Sequence, residues 1–197
     1  MAEAPGVVVQ KLSGVSRERV ARHLLRLPPE DRRLRFGAPM RDPAIEAYTG
    51  RIDFAKDQVF AIVGADLELW GVAHLALDPQ EQSAELGISV DWAVRGMGYG
   101  YALLQRGLLH ATNRGYRALF MHCLAENDVM MSLARKAGLN LVVTSGEADG
   151  QLALGEPTQA GAMREAIQDQ FALVDSVLKH QYAWLALPQA VAVPEKA

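Results

Sequence analysis

The spacing of apolar and polar positions divides most of this chain into short strands and amphipathic helices. Residues 7–10 read as a short strand. Val20, Leu24 and Leu27 then recur at helical spacing behind Ser16, a residue type that caps helices, which predicts a helix from Ser16 to about Leu27. Pro28-Pro29 ends it. Asp42 and Pro43 open a second helix through Ile45, Tyr48 and Ile52. Residues 59–63 and 67–77 are rich in strand formers and are joined by Gly64-Ala65-Asp66, which predicts an antiparallel hairpin. A turn over 78–82 leads into a further strand at 85–90.

The second half follows the same logic. A helix over 98–114 buries Leu104, Leu108 and Ala111 and ends at Gly115. Gly107 inside that helix costs about 1 kcal/mol relative to alanine, which points to a close contact there. A strand over 118–124, a helix over 128–137 and a closing hairpin of 141–145 with 151–154, turning at Asp149-Gly150, complete the core elements. From 161 to about 182, Met163, Ala166, Ile167, Val174, Val177 and Leu178 mark an amphipathic helix. It is expected to pack on its own domain, with a homodimer interface as the rival reading. Residues 189–197 read as a tail.

Composition narrows the setting. A chain of 197 residues suits one domain, assigned to 1–155, with a C-terminal helix and tail over 156–197. Charged residues are 22% of the total and the net charge is −3, so there is no overall attraction to nucleic acid or to acidic membranes. Cys123 is the only cysteine, which rules out an intramolecular disulfide and suits a reducing cytoplasm. It is expected to be a small buried hydrophobe rather than a nucleophile. Met1-Ala2-Glu3-Ala4-Pro5 lacks the basic start and apolar run of a signal peptide, and no apolar stretch nears the ~20 residues that span a bilayer. A soluble cytoplasmic protein that uses no metal is the expectation.

The chemistry concentrates in Val94-Arg95-Gly96-Met97-Gly98-Tyr99-Gly100-Tyr101, between the strand at 85–90 and the helix at 98–114. Glycines at alternate positions let successive N–H groups converge, and the helix behind them adds the positive end of its dipole. That is a cradle for phosphates. A dinucleotide fingerprint fails, because counting from Gly96 its last glycine would be Tyr101 and counting from Gly98 it would be Leu103. A phosphate-binding loop of the Gly-Lys-Ser/Thr kind is absent from the chain.

Arg/Gln-x-x-Gly-x-Gly/Ala does fit, filled by Arg95, Gly98 and Gly100. It resembles the pyrophosphate loop of the GNAT superfamily of acyl-CoA-dependent N-acyltransferases. Ala84-Glu85-Leu86-Gly87-Ile88-Ser89-Val90 upstream, Asn127 after the next strand and Lys136-Ala137-Gly138-Leu139 follow in that family's order. The segments 27–36, 51–54 and 126–136 look like the acetyltransferase domain of Pat-type bacterial protein lysine acetyltransferases. Those enzymes often carry a large acyl-CoA-synthetase-like or cyclic-nucleotide-binding domain, which 197 residues do not accommodate, so small-molecule amines stand beside protein lysine as acceptors.

The resemblance implies an α/β (α+β) GNAT fold, a mixed sheet of six or seven strands splayed between two parallel ones, here the strands of Glu85 and Ala118. It implies acetyl-CoA in the splay, its pantetheine arm on the strand edge at Ile88, Ser89 and Val90. The pyrophosphate would take N–H groups of Gly96, Met97, Gly98, Tyr99, Gly100 and Tyr101, and Asn127 would bind the cofactor near the splay. Asparagine before Asp128 is equally a helix cap, and both roles are compatible.

An amine with a pKa near ~10.4 is protonated at neutral pH and cannot attack a thioester until a base takes its proton. Glu85 stands ten residues before Arg95, where many relatives carry a glutamate base, and a setting of Leu86 and Ile88 would raise its pKa. The competing reading is a solvent-facing strand residue. His122, five residues before Asn127, is the rival base, against the commoner role of a satisfied core histidine. Many relatives place a thiolate-protonating tyrosine seven residues after this asparagine, but position 134 is alanine. Tyr99 and Tyr101 are weak substitutes, and direct transfer with the thiolate protonated by water or unassisted is the mechanism expected.

Overall fold

The computed structural model describes residues 6–186, with side chains as far as Trp184. The amino-terminal segment 1–5 and the expected tail at 189–197 lie outside the described residues. Among these described residues seven strands form one mixed sheet in the order β1-β2-β3-β4-β5-β7-β6. These are β1 (Gln10–Leu12), β2 (Gln58–Val63), β3 (Leu69–Asp78), β4 (Ser83–Val90), β5 (Ala118–Leu124), β6 (Asn140–Thr144) and β7 (Glu147–Ala153). Among the described residues six α-helices accompany them: α1 (Arg17–Arg26), α2 (Pro29–Phe36), α3 (Asp42–Arg51), α4 (Tyr99–Asn113), α5 (Asp128–Lys136) and α6 (Gln159–Ala186).

Alternation along the strands feeds two cores, one on each face of the sheet. Val20 and Leu24 of α1 and Ile45 of α3 pack on Val59, Val63 and Val72. On the opposite face Leu103 and Leu104 of α4 pack on Phe60, Leu75, Leu86, Leu119 and Met121. Gly107 makes the close contact its position demanded, since a Cβ there would lie 3.0 Å from Leu86 Cδ1. Cys123 is buried, and burial pushes its thiol pKa up, away from a nucleophilic thiolate.

Four elements depart from the pattern read in the sequence. The first strand begins at Gln10 rather than Val7, because its ladder with β2 runs only from Gln10 opposite Ala61 to Leu12 opposite Val59. Pro29 does not merely stop α1; it starts α2 at the position where a missing N–H costs nothing. The last hairpin turns at Ser145-Gly146, whose φ values of 53° and 89° suit a tight two-residue turn, and Asp149-Gly150 lies within β7. Gly150 is there for packing: a Cβ would sit 3.0 Å from both Leu139 and Leu141 side chains.

α6 packs on α4 and β1, but with its polar side inward. Glu165 meets Arg106 (3.3 Å) and His110 (2.6 Å) of α4, and Asp169 also pairs with Arg106. Arg106 and His110 are almost fully buried, and a buried cation needs carboxylates rather than methyls against it. The apolar residues that mark the helix in sequence, among them Met163, Ile167, Val174 and Leu178, are therefore exposed. Among the described residues no helix is long and apolar enough to cross a membrane.

Candidate active site

β4 and β5 are the sheet's one parallel pair, and they pair only from Ser83 opposite Ala118 to Glu85 opposite Phe120. Beyond that point they part, while β3 stays paired with β4 as far as Val90. The edge of β4 over residues 86–90 that faces β5 is thus left without a strand, which is a site for an added extended ligand.

The glycine-rich segment closes the wide end of this splay. Asp91 accepts a hydrogen bond from Ala93 N–H (3.1 Å) and starts a single helical turn, Trp92–Val94. Gly96 and Gly98 follow at φ values of 79° and 80°, a region open to glycine at little cost. The first bond of α4 runs from Ala102 N–H to Gly98 C=O (3.0 Å), so the N–H groups of Tyr99, Gly100 and Tyr101 precede it with no partner inside the helix. Gly100 lets α5 approach: a Cβ would lie 3.0 Å from Leu133 Cδ1.

A cavity of about 660 Å³ occupies the splay. Ile88, Ser89, Val90, Arg95, Gly96, Gly98, Tyr99, Gly100, Tyr101 and Asn127 all line it, and so do Asp31 and Arg35 of α2. Met97 does not; its side chain is 55% exposed. Asn127 caps α5, its Oδ1 accepting from Met130 N–H (3.1 Å), which leaves its amide NH₂ as a donor. Arg95 pairs with Asp31 (2.6 Å), tying α2 to the loop.

Ser89 lines the cavity but its hydroxyl is engaged. His23 Nδ1 lies 2.8 Å from Leu69 C=O, which only accepts, so Nδ1 carries the proton and Nε2 accepts from Ser89 O–H (2.9 Å). Burial outweighs the Leu69 hydrogen bond and lowers the His23 pKa to about 4, keeping this pair neutral.

The two candidate bases sit outside the lining residues. Glu85 is exposed on the sheet face opposite Leu86 and Ile88, which strand alternation sends into the α4 core. The apolar setting expected for it is therefore not formed. His122 is 54% exposed rather than a core residue, and its Nδ1 lies 2.5 Å from Asp149 Oδ1 of β7. The two share a face with Phe120, which is paired with Glu85 at the last position before the splay. Ala134, where a tyrosine was considered, is buried in the core rather than turned to the cavity.

A group not singled out by sequence lies beside Glu85. His74, opposite Gly87 on β3, bonds Asp57 through Nε2 (3.1 Å) and Tyr48 Oη through Nδ1 (2.7 Å), and Arg35 donates to the same Tyr48 oxygen (3.2 Å). By sequence alone His74 reads as a core or surface histidine, and Arg35 as part of a charge run that is either a solvated face or a substrate-side basic patch. Only the fold brings α2, α3 and β3 together.

The scaffold is thus a mixed α/β sheet that opens at its parallel pair, with a glycine-rich helix start at the mouth. The model of the acetyltransferase (GNAT) family matches residues 22–139, more than half the chain, and the chain belongs to that family. Solved structures agree on the fold. The GNAT domain of S. lividans PAT is 22% identical, with a TM-score of 0.63 over 74% of this chain and 89% of that one. An N-acetyltransferase from Staphylococcus aureus Mu50 is 19% identical, with a TM-score of 0.58 over 75% of this chain and 99% of that one. A GNAT superfamily phosphinothricin acetyltransferase from Sinorhizobium meliloti, in complex with AcCoA, is 15% identical, with a TM-score of 0.58 over 78% and 94%.

Proposed function

We propose that this chain is an acetyl-CoA-dependent N-acetyltransferase that moves an acetyl group directly to a primary amine, with residues 1–155 as the catalytic domain and 156–197 as a helical extension. The observation that carries this reading is the unpaired edge of β4 running from the splay at Glu85 toward the glycine-rich start of α4. Acetyl-CoA supplies the activated acyl group. Ile88, Ser89 and Val90 hold its pantetheine arm through their backbone; Arg95 and the N–H groups of Gly96 through Tyr101 hold its pyrophosphate, and Asn127 contributes its amide donors.

Glu85 takes the proton of the incoming amine, directly or through water, and a β4 N–H near Val90 faces the developing oxyanion. His122, supported by Asp149, is the alternative base. Because Ala134 is buried, the thiolate is protonated by water or leaves unassisted. The family resemblance to Pat-type domains keeps protein lysine among the acceptors, with small amines beside it, and the cytoplasm is the proposed setting.

The exposed apolar side of α6 favours one second reading, an acyl-CoA-binding module that acts through contact with another chain, a second copy included. Release of free CoA thiol in the presence of amines and lysine peptides separates the two. Amine-dependent release supports the transferase; binding of acetyl-CoA with release no faster than background hydrolysis supports the module.

A further inference from the structure

Of the four arginines that belong to α2 or line the cavity, three are paired with carboxylates. Arg32 pairs with Asp42 (2.6 Å), Arg33 with Glu30 (2.7 Å) and Glu126, and Arg95 with Asp31 (2.6 Å). Arg35 differs. It lines the cavity, and among the described residues no carboxylate lies within 4.0 Å of it. Of its five N–H donors, Tyr48 Oη takes one.

The position of this cation is built. Its guanidinium rests on Gly87 of β4, where a Cβ would lie 2.1 Å from Nη2 and 2.3 Å from Cζ. It also lies 4.9 Å from the ring centre of Phe36 and 5.9 Å from that of Tyr48. Asp57 fixes the direction of every bond behind it. A carboxylate accepts, so His74 Nε2–H donates to Asp57, leaving Nδ1 to accept from Tyr48 O–H, which in turn leaves the Tyr48 oxygen to accept from Arg35. Burial lowers the His74 pKa, so the imidazole adds no second positive charge at neutral pH.

Gly87 stands two residues from Glu85 on the same strand face, roughly 7 Å away by strand rise. Hydrogen bonds of ~2.9 Å at either end let an amine and a carboxylate on one carbon bridge such a gap. We propose that Arg35 binds the carboxylate of the acceptor, so that the preferred acceptors are free amino acids and similar amino-carboxylates. This rests on the N-acetyltransferase reading above. The planar fork matches a carboxylate in two parallel bonds, whereas a polyamine brings a second like charge to the same spot and a lysine side chain brings no carboxylate to it.

The test compares an equimolar pool of L-amino acids with the pool of their amides, and with a lysine peptide, by CoA release. The wild type is expected to favour the acids by on the order of 10-fold or more, as loss of a charge-assisted pair implies. Arg35→Met is expected to raise KM for the acids and erase the preference. Gly87→Ala, which unseats the guanidinium but keeps its charge, is expected to do the same, and Tyr48→Phe to do so in part. Amides or peptide used as well as the acids by the wild type, or a preference that survives Arg35→Met, would overturn the proposal.

If acetyl-CoA binds but no amine is turned over, the transferase reading fails while the proposal is still decided by nitrogen NMR of the arginine side chains. The Nε–H signal absent from Arg35→Met is expected to move with the acid pool and not with the amide pool. A signal that moves with neither, or equally with both, would overturn it.

Discussion

Glu165 is the residue through which α6 is most firmly fastened, and its replacement by glutamine gives a stability prediction with a sign and a pH window. Its side chain is 14% exposed, with Arg106 at 3.3 Å and His110 at 2.6 Å. It also accepts from Asn113 Nδ2 at 2.7 Å. Burial by itself would raise its pKa. The hydrogen bonds from His110 and Asn113, with the charges of His110 and Arg106, outweigh that and bring it from 4.5 down to about 2. At 1.36 kcal/mol per pKa unit the ionised form is worth roughly 3 kcal/mol to the folded chain.

Glu165→Gln keeps the shape and loses the charge, so at pH 7 it is expected to cost roughly 3 kcal/mol, or roughly 6 to 12 °C in Tm for a chain of this length. A carboxylate with a depressed pKa stabilises fully above its unfolded value of 4.5 and stops doing so as pH falls through about 2. The gap between wild type and variant should therefore close on acidification through that window. Scanning calorimetry at pH 7 and denaturant midpoints at descending pH measure both. A variant within about 1 °C of wild type at pH 7, or a gap unaffected by acid, would refute the reasoning.

Two further outcomes follow from the same physics. His23, buried and with its pKa lowered to about 4, stays neutral where an unfolded histidine protonates near 6.5, so its share of stability is present above 6.5 and declines by roughly 3 kcal/mol as pH falls to 4. His23→Asn should flatten that part of the stability profile, and an unchanged slope would count against it. Glu85→Gln is expected to keep acetyl-CoA affinity while lowering turnover on the order of 100-fold, as loss of a general base does. Turnover unaltered across the pH range would move the role to His122 or to water.

The elements that build the splay were legible because their signals are local. The β2–β3 hairpin, the glycine run before α4 and the Asn127 cap each depend on a few neighbouring residues, and each stands where the spacing placed it. What was not legible depends on partners far along the chain. The apolar stripe of α6 reads as an inward face until Arg106 and His110, more than 50 residues away, claim the polar side. The Arg35–Tyr48–His74–Asp57 chain joins three elements, and no spacing announces it. Asp149-Gly150 carries the usual turn dipeptide, yet the strain at Ser145-Gly146 is accepted because the turn there puts Leu141 opposite Gly150.

The most direct measurement is a calorimetric titration of the full chain with acetyl-CoA, repeated on a Gly98→Val, Gly100→Val double variant. At 98 a branched side chain opposes a φ of 80°, and at 100 it presses on Leu133 of α5, so both the converging N–H groups and the seat of α5 are disturbed. Saturable binding by the wild type, lost in a variant that still unfolds cooperatively, is the expected result. A wild-type chain that does not bind acetyl-CoA, or a folded double variant that binds it equally well, would contradict the assignment of the splay as its site.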